Sequence, residues 1–489
     1  MTQAVYERAR LSRDARFDGR FFVGVKTTGI YCRPICPATP PKSENVSFYP
    51  TAAAASEAGF RPCLRCRPEC APGTPAWAGT STTVNRGLRL ISEGALDDGD
   101  VEQLATRLGV TSRHLRRLFT RHLGASPLAI AHTQRLHFAK RLIDQTSMPM
   151  QEIAEAAGYG SVRRFNDTFR NTYGRSPRDL RRSHAASTDV NAAGLTVRLS
   201  YRRPYDWQFL LDFFAARAIP GVETVRDGCY LRTINLGEQV GAIQLRDDPG
   251  NTGLLLTVFG ASTSSLFAIV QRVRSVFDLD APVADIEAVL ARDSKIGELL
   301  QARPGVRVPG AWDGFELVVR AILGQQISVK AATTLAGRIV KRYGRKVDVS
   351  AGPGIDVPGY LFPSPQRLMR ARMNDMGLVG SRAATIRRIA RAVVDGDISF
   401  DASQNVAEFC ESLTAIRGIG EWTAQYVAMR ALKDPDAFPA SDLGLLRAFD
   451  QPGQKRLRPA ELKQRADAWR PWRAYAALLL WSRTPGSGG

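Results

Sequence analysis

Four cysteines within residues 1–70 form two closely spaced pairs, Cys32-x3-Cys36 and Cys63-x2-Cys66. Pairs of this spacing are typical of tetrahedral zinc sites, which require the chain between the pairs to fold back on itself. A domain of this size has a small apolar core, so a metal ion would contribute much of its folding free energy. We therefore expect one Zn2+ held by four thiolates, with a short strand and an Ala-rich helix between the pairs.

The composition indicates a large, basic chain. It has 489 residues, enough for several domains, and its formal net charge of +20 favours a polyanion or an acidic membrane surface as partner. No apolar run approaches the roughly 20 residues that a membrane span needs, and the N-terminus carries no secretory signal. Clustered cysteines in such a chain bind metal rather than form disulfides. We expect a cytoplasmic protein with no membrane partner.

Residues 85–183 have a helical pattern and contain an internal near-repeat. Each copy has a helix, a glycine turn, a serine at the expected N-cap (Ser112 or Ser161) and a second helix rich in arginine. This order predicts two helix-turn-helix units that bind DNA, and a helical bundle with solvated arginines is the alternative. The side chains expected to reach DNA begin the two candidate recognition helices: Arg113, Arg116 and Arg117 with His114 in the first, and Arg163 and Arg164 with Asn166 in the second.

Two segments rich in small and polar residues, 71–84 and 183–194, are predicted to be linkers. Alternating apolar residues then predict strands over 195–199, 230–235, 240–245 and 254–259, followed by a helix over 264–277. The rest of the chain is predicted to be helical, with a surface loop over 352–365. The predicted domains are 1–75 (zinc), 85–183 (helix-turn-helix), 195–280 (α+β) and 281–486 (helical).

A turn in the last part of the chain places Gly418 and Gly420 between two helical stretches. Two glycines allow a positive φ and a close backbone approach to a ligand, and the amides that begin the next helix suit a phosphate oxygen. Trp422 and Tyr426 are four residues apart and share one helix face, and Asp442 lies just beyond that helix. Singly, these residues have ordinary explanations as a turn, core aromatics and a helix cap. Their order and spacing together favour a nucleic-acid site.

The turn Arg417-Gly418-Ile419-Gly420 and the aspartate that follows it resemble the helix-hairpin-helix, Gly/Pro-rich loop and aspartate motif of base-excision DNA glycosylases. The stretch is most similar to the AlkA type, the 3-methyladenine glycosylases. The resemblance implies that Asp442 is the catalytic carboxylate, that Gly418 and Gly420 bind DNA, and that a monovalent cation binds at the hairpin. Trp422 stands where lyase-competent members carry a lysine nucleophile, so we expect hydrolysis of the N-glycosidic bond without strand cleavage.

The same resemblance implies how a damaged base is bound. An aromatic pocket formed by Trp422, Tyr426 and Trp481 would attract a cationic alkylated base through cation–π interactions. Residues 315–329 are similar to the family segment that enters the minor groove. They contain the candidates for the wedge that fills the gap left by the extruded base, which are Gln325, Gln326 and Ile327, with Gln326 as the expected substrate contact.

The sequence around the cysteine pairs, over 25–34 and 59–63, resembles the N-terminal domain of the Ada adaptive-response proteins. The double helix-turn-helix resembles the AraC-type domain that follows it in those proteins. The resemblance implies that Cys32 accepts a methyl group from a DNA methylphosphotriester and that Arg33 contacts DNA. Zinc would keep Cys32 as the attacking thiolate, and methylation would remove a negative charge and raise the affinity for DNA. A purely structural zinc knuckle is the alternative.

Together these patterns predict a multidomain protein, mainly α with α+β parts. The predicted function is DNA alkylation repair and its regulation, by a monofunctional 3-methyladenine-type glycosylase fused to a methylphosphotriester-accepting transcriptional activator. The Pro-Cys-His-Arg motif of O6-alkylguanine methyltransferases is absent from the sequence, and neither Cys229 nor Cys410 has similar surroundings. Expected partners are double-stranded DNA and RNA polymerase, for a monomer associated with the bacterial nucleoid. The alternative is a regulator alone, whose inactive glycosylase domain only binds DNA.

Overall fold

The computed structural model describes residues 2–72, 82–97, 100–181, 194–237, 239–248, 250, 252–373, 376–401, 404–450 and 455–482, so most of both predicted linkers lies outside the described residues. The helices are α1 (Gln3–Leu11), α2 (Ala52–Glu57), α3 (Thr82–Ser92), α4 (Val101–Arg107), α5 (Ser112–Leu123), α6 (Pro127–Gln145), α7 (Met150–Ala156), α8 (Val162–Tyr173), α9 (Pro177–Leu180), α10 (Trp207–Arg217), α11 (Leu266–Val276), α12 (Val283–Leu290), α13 (Ser294–Ala302), α14 (Gly314–Gly324), α15 (Val329–Tyr343), α16 (Pro365–Met369), α17 (Gly380–Asp395), α18 (Val406–Thr414), α19 (Glu421–Arg430), α20 (Leu443–Arg447), α21 (Pro459–Arg465) and α22 (Arg473–Trp481). The strands are β1 (Phe22–Val25), β2 (Ile30–Cys32), β3 (Val46–Tyr49), β4 (Arg61–Pro62), β5 (Gly194–Ser200), β6 (Glu223–Arg226), β7 (Cys229–Leu236), β8 (Gln239–Asp248), β9 (Gly253–Phe259), β10 (Arg345–Lys346) and β11 (Tyr360–Leu361).

This order of elements confirms the predicted fold class. A small sheet with the cysteine pairs and a purely helical region precede a second sheet and a helical C-terminal part. Within the described ranges, no helix combines the length and the apolar character that crossing a bilayer requires.

Around the cysteine pairs the chain forms a sheet with the strand order β3-β1-β2-β4. β2 runs antiparallel to β1 but parallel to β4, with Tyr31 opposite Pro62. Because paired parallel strands run in the same direction, Cys32 and Cys63 at this end come to lie side by side. Helix α2 follows β3 and is capped by the hydroxyl of Thr51. The strand and helix predicted between the cysteine pairs are therefore confirmed.

The region from α3 to α9 contains the predicted repeat. The candidate recognition helices α5 and α8 have 12 residues each and end at glycines in the left-handed region, Gly124 with φ 70° and Gly174 with φ 68°. Glycine ends a helix in this way because it has no side chain to clash at positive φ. A serine cap and a proline then begin the next helix, at Ser126-Pro127 and Ser176-Pro177. The near-repeat in sequence is thus a repeat of helix boundaries.

One predicted helix start is wrong. α5 is capped by Thr111, whose hydroxyl accepts the amide of His114 at 3.2 Å, and Ser112 is the first helical residue. Thr111 has the extended backbone (φ −78°, ψ 151°) that an N-cap needs. Ser161 caps α8 as predicted, by accepting the amide of Arg164 at 3.2 Å. Adjacent Thr and Ser side chains both suit a cap, so only the backbone conformation distinguishes them.

The second sheet has the strand order β5-β9-β8-β7-β6, with every neighbouring pair antiparallel. β5, β7, β8, β9 and α11 match predicted elements, whereas β6 and α10 lie where none is predicted. α10 buries apolar residues around most of its circumference, so no helical period is visible in its sequence. Phe214 of α10 packs on Tyr230 of β7, with ring centroids 5.0 Å apart.

The loop predicted over 352–365 is not a free surface loop. β11 lies in the second half of this segment and pairs with β10, and Tyr360 donates its amide to the carbonyl of Gly221 at 2.9 Å. Ala351 and the partly buried Ile355 pack against the second sheet. Proline and glycine predicted the irregular backbone correctly, but the apolar side chains between them attach this segment to the sheet.

The turn between α18 and α19, residues 416–420, is called here the glycine turn. Gly418 has φ 100°, and a Cβ there would lie 2.1 Å from the hydroxyl oxygen of Thr385 on α17. Gly420 has φ −102° and is the N-cap of α19, and a Cβ there meets no atom within 4 Å. The expected positive φ is therefore confirmed for Gly418 only. At Gly420 the missing side chain instead leaves the start of α19 open.

A buried arginine joins the N-terminal region to the rest of the protein. Arg202 is 2% exposed and donates to the backbone carbonyls of Asp18 at 3.1 Å and Asp280 at 2.8 Å. Beside it, Arg20 forms an ion pair with Asp285 at 2.6 Å. The zinc region is thus in direct contact with the helical C-terminal part.

We expect Thr111→Ala to lower the free energy of unfolding by about 1 kcal/mol, because the amide of His114 loses its acceptor. Ser161→Ala should have a similar effect on α8. Ser112→Ala is the matched control, and its effect should stay within about 0.5 kcal/mol. Urea unfolding followed by circular dichroism measures all three variants. Equal losses for Thr111→Ala and Ser112→Ala would contradict the cap at Thr111.

Gly418→Ala is expected to destabilise the protein by about 2 kcal/mol or more, because its positive φ disfavours a side chain and Thr385 blocks the Cβ. Gly420→Ala is the control two residues away, and it should lower the free energy of unfolding by no more than about 1 kcal/mol, because alanine is a poorer N-cap than glycine. Thermal unfolding compares the two variants. A larger loss for Gly420→Ala would show that the turn has a different conformation.

Candidate active site and metal centre

Asp442 lies at the N-terminus of α20 and is 8% exposed. Its Oδ1 accepts the amide of Leu445 at 2.9 Å and the indole N–H of Trp481 at 2.8 Å. Its Oδ2 accepts the indole N–H of Trp422 at 2.8 Å. All three donors are neutral, so they orient the carboxylate and stabilise its charge without cancelling it, as an arginine would. The residue is both a helix cap and a fixed negative charge near the glycine turn.

The structure brings the three predicted pocket aromatics together around this carboxylate. Trp422 and Tyr426 are stacked, with centroids 5.1 Å apart and planes inclined by 9°. Tyr426 meets Trp481 edge-on, with centroids 6.3 Å apart. Tyr426 and Trp481 are buried, whereas Trp422 is only partly buried. Of the three rings, Trp422 is therefore the one most accessible to a ligand.

Tyr426 is already engaged by cations of the protein. The guanidinium of Arg430 lies 5.3 Å from the centroid of the ring and donates to the phenol oxygen at 2.6 Å. Burial acts to raise the pKa of the Tyr426 phenol, but the charges of Arg430 and Arg217 outweigh it and hold the pKa below its ordinary value. The Tyr426 ring, which was predicted to attract a cationic base, therefore already contacts the guanidinium of Arg430 in this structure.

A cavity of about 710 Å3 lies on the Trp481 side of the aromatic cluster. It is bounded by α10, the beginning of α15 and the end of α22, with Phe213 as an apolar wall and Arg217 and Lys330 as basic residues. This volume is in the range of pockets that bind small ligands. Among the predicted aromatics, Trp481 is the one that lines the cavity.

The loop between α14 and α15, residues 325–328, is called here the wedge loop, and the structure separates its three candidates. Gln326 is exposed and has φ 58°. Gln325 points inward, and its Nε2 donates to the carbonyl of Gly418 at 3.0 Å and to the hydroxyl of Thr423 at 3.2 Å. Ile327 packs against the core. Gln326 is therefore the candidate whose side chain can enter a duplex.

The four N-terminal cysteines converge, with all their sulfur atoms within 4.8 Å of one another. Ligands of a tetrahedral zinc at about 2.3 Å are roughly 3.8 Å apart, so this cluster fits one ion. Hydrogen bonds among the four thiols lower the pKa of Cys36 to about 7 but raise the pKa of Cys32 and of Cys66. A bound metal ion would favour the thiolate form of all four. The predicted site for one Zn2+, formed by Cys32, Cys36, Cys63 and Cys66, is confirmed.

Arg33, which was expected to contact DNA, has protein partners in the structure. Its Nε donates to the carboxylate of Asp18 at 2.8 Å, and its Nη1 donates to the carbonyl of Cys66 at 3.1 Å. Its backbone amide donates to the sulfur of Cys66 at 3.3 Å. Only 14% of the side chain is exposed. The geometry assigns Arg33 to the support of the metal-binding turn instead of to a DNA contact, because its charge is already paired.

The other predicted DNA contacts are at the surface. On α5, Leu115 and Phe119 are buried and fix which side of the helix faces the core. Phe165 and Phe169 do the same on α8. The exposed side chains on the two helices include the five predicted arginines, Arg113, Arg116, Arg117, Arg163 and Arg164, while His114 and Asn166 are half-buried.

Two residues that shape these sites were not predicted from the sequence. Arg430 lies four residues after Tyr426 on α19, so the helical period could have indicated their contact. Asp18, the partner of Arg33, comes from a separate segment of the chain and carries no motif. Its role is visible only in three dimensions.

Four family models match separate parts of the chain. They are the "Metal binding domain of Ada" over residues 6–69, a "Helix-turn-helix domain" over 104–183, the "AlkA N-terminal domain" over 196–313 and the "HhH-GPD superfamily base excision DNA repair protein" over 319–474.

Similar proteins cover both halves of the chain. A Mycobacterium tuberculosis protein described as a probable bifunctional transcriptional activator/DNA repair enzyme AlkA is 42% identical over 478 residues, which are 97% of this chain and 95% of that protein. DNA-3-methyladenine glycosylase 2 of Escherichia coli is 34% identical over 287 residues, 58% of this chain and 95% of that protein. A solved 3-methyladenine DNA glycosylase from Archaeoglobus fulgidus shares the fold, with a TM-score of 0.50 and 23% identity over 58% of this chain and 96% of that one. The chain therefore belongs to the family of bifunctional transcriptional activator/DNA repair proteins that join an Ada-type metal-binding domain to an AlkA-type helix-hairpin-helix domain.

Proposed function

We propose that the C-terminal half is a DNA glycosylase that hydrolyses the N-glycosidic bond of alkylated bases, and that the N-terminal half is a methylphosphotriester-accepting transcriptional activator. The glycosylase function is supported by the buried Asp442 carboxylate, which is held by neutral N–H donors beside an aromatic cluster. The second part is supported by the four-cysteine cluster and the two helix-turn-helix units that follow it.

The glycosylase reaction breaks the bond between C1′ of deoxyribose and a nitrogen of the base. Alkylation places positive charge on a purine, so the base leaves with the bonding electrons as a neutral molecule and the sugar becomes oxocarbenium-like. Asp442 stabilises this developing positive charge, because its own charge is oriented by Trp422 and Trp481 and remains uncancelled. Water adds to C1′ and loses a proton. Trp422 offers no amine for a Schiff base, so the strand remains intact.

The damaged base must first leave the duplex, which costs a few kcal/mol and less for a weakened pair. We propose that the exposed Gln326 fills the gap in the stack and that the accessible ring of Trp422 contacts the extruded base. An electron-rich ring favours a cationic base over a neutral one. Such a contact depends on charge more than on shape and therefore suits several alkylated bases.

The start of α19 is the proposed site for the DNA backbone. Gly420 leaves it open and no side chain caps the first-turn amides, so their positive dipole end suits a phosphate. The carbonyls of Arg417 and Gly418 already accept hydrogen bonds from Thr385 and Gln325. A monovalent cation at the glycine turn would have to share these carbonyls.

Cys32 is the proposed methyl acceptor. Its sulfur attacks the methyl carbon of the phosphotriester, an S–C bond forms as the C–O bond breaks, and the phosphodiester leaves with the electron pair. Bound zinc stabilises the thiolate form at neutral pH. The resulting thioether carries one negative charge less, which strengthens DNA binding by the exposed arginines of α5 and α8. As an activator, the protein would act through RNA polymerase, and we propose that it binds DNA as a monomer.

Asp442→Asn is expected to slow base release from alkylated duplex DNA by about a hundredfold or more, because it removes the charge that stabilises the sugar cation. Chromatography of released bases measures the rate. Asp450→Asn is the matched control, since it makes the same change in an exposed ion pair with Arg456. Its rate should stay within about twofold of wild type. Unchanged release by Asp442→Asn would exclude Asp442 from the chemistry, and no release by the wild type would leave a regulator alone.

Incubation with DNA that contains methylphosphotriesters should add one methyl group to Cys32, detected by mass spectrometry of proteolytic peptides. Cys32→Ser should abolish the adduct. Cys70→Ser should not, because this half-buried cysteine lies outside the four-sulfur cluster. A methyl group on another cysteine would refute Cys32 as the acceptor, and no methyl group at all would indicate a purely structural zinc site.

A further inference from the structure

We propose that the side chains of Gln325 and Arg382 position the wedge loop relative to the glycine turn, and so determine how efficiently a paired base is extruded. The inference rests on the proposed glycosylase function. Both residues act through the loops they hold, so they are positioning residues and not catalytic ones.

Gln325 connects the two loops directly. Its side-chain amide donates one hydrogen bond to the carbonyl of Gly418 and one to the hydroxyl of Thr423 in the first turn of α19. Both N–H groups are thereby used, and the side chain is half-buried. Gln325 of the wedge loop is thus hydrogen-bonded both to the glycine turn and to α19.

Arg382 of α17 binds the backbone of the same residue. Its guanidinium donates to the carbonyl of Gln325, immediately before Gln326. Gln326 has φ 58°, a conformation that is unfavourable for a residue with a side chain and that persists where the surroundings impose it. The Arg382 guanidinium and the Gln325 side-chain amide connect this point of the chain to α17 and to the glycine turn, while Ile327 packs against the core.

α17 is the common support of both loops. Arg382, Thr385 and Arg388 follow one another at intervals of three residues, so they lie on one side of the helix. Thr385 and Arg388 donate to the carbonyl of Arg417 in the glycine turn, at 3.2 and 3.1 Å. A single helix therefore sets the separation between the turn that would bind the DNA backbone and the residue that would enter the duplex.

Extrusion of a paired base requires that the glycine turn bind the DNA backbone while Gln326 occupies the base stack. When the wedge loop is fixed to the glycine turn, binding of the backbone also places Gln326 at the stack, with no further ordering of the loop. When the loop is loose, that ordering must occur during extrusion. A base without a partner needs little extrusion, so its release should depend far less on these contacts.

The test compares full-length wild type, Gln325→Met and Arg382→Met on two duplexes. One carries a methylated purine opposite its normal partner, and the other carries the same purine opposite an abasic site. Each variant should be about tenfold or more slower on the paired base, and within about twofold of wild type on the unpaired base. Arg382→Lys keeps a donor and should recover much of the paired-base rate.

Arg387→Met is the matched control. Arg387 lies on the same helix, is half-buried like Arg382, and donates to the carbonyl of Ala371 at 3.4 Å, away from both loops. Its ratio of paired to unpaired rates should equal that of wild type. Equal losses on both duplexes for Gln325→Met and Arg382→Met, or no loss, would overturn the positioning role. Absence of release by wild type on either duplex would instead reject the glycosylase function itself.

Discussion

A negative charge held inside the protein by neutral donors is the interaction on which the C-terminal half depends. Burial of a carboxylate is unfavourable unless its oxygens are hydrogen-bonded, and three N–H groups meet this need at Asp442. An arginine could have met it as well, but would have neutralised the charge. Arg430 and Arg217 are close by and act on the Tyr426 phenol instead.

The proposed DNA-binding helices begin in two different ways. At the starts of α5 and α8 the side chains of Thr111 and Ser161 each accept a first-turn amide, and arginines lie on the exposed faces of both helices. α19 begins at Gly420 with no side chain over its amides. The first arrangement suits recognition by side chains along a groove, whereas the second suits a backbone phosphate. A single residue at each helix start thus separates the two modes of binding.

Local patterns were sufficient for much of this protein. The cysteine spacing predicted the metal cluster, and the near-repeat predicted both recognition helices, because each depends on neighbours along the chain. The sequence did not indicate α10, which is apolar all round, or the choice between Thr111 and Ser112. Arg33 was expected at the DNA from the resemblance to Ada proteins. Its ion pair with Asp18 was not predicted, because Asp18 lies in another segment. Likewise, the inward turn of Gln325 depends on the carbonyl of Gly418, 93 residues away.

The side chain and the backbone of Asp18 bind residues in different halves of the protein. Its carboxylate binds Arg33 beside the zinc cysteines, and its carbonyl accepts from Arg202 at the edge of the second sheet domain. If another sensor covered Arg202 without offering an acceptor at this place, one N–H of the buried guanidinium would lose its hydrogen bond, which is unfavourable. The two halves are therefore not freely exchangeable modules, because a replacement for the N-terminal region must again present a backbone acceptor to Arg202.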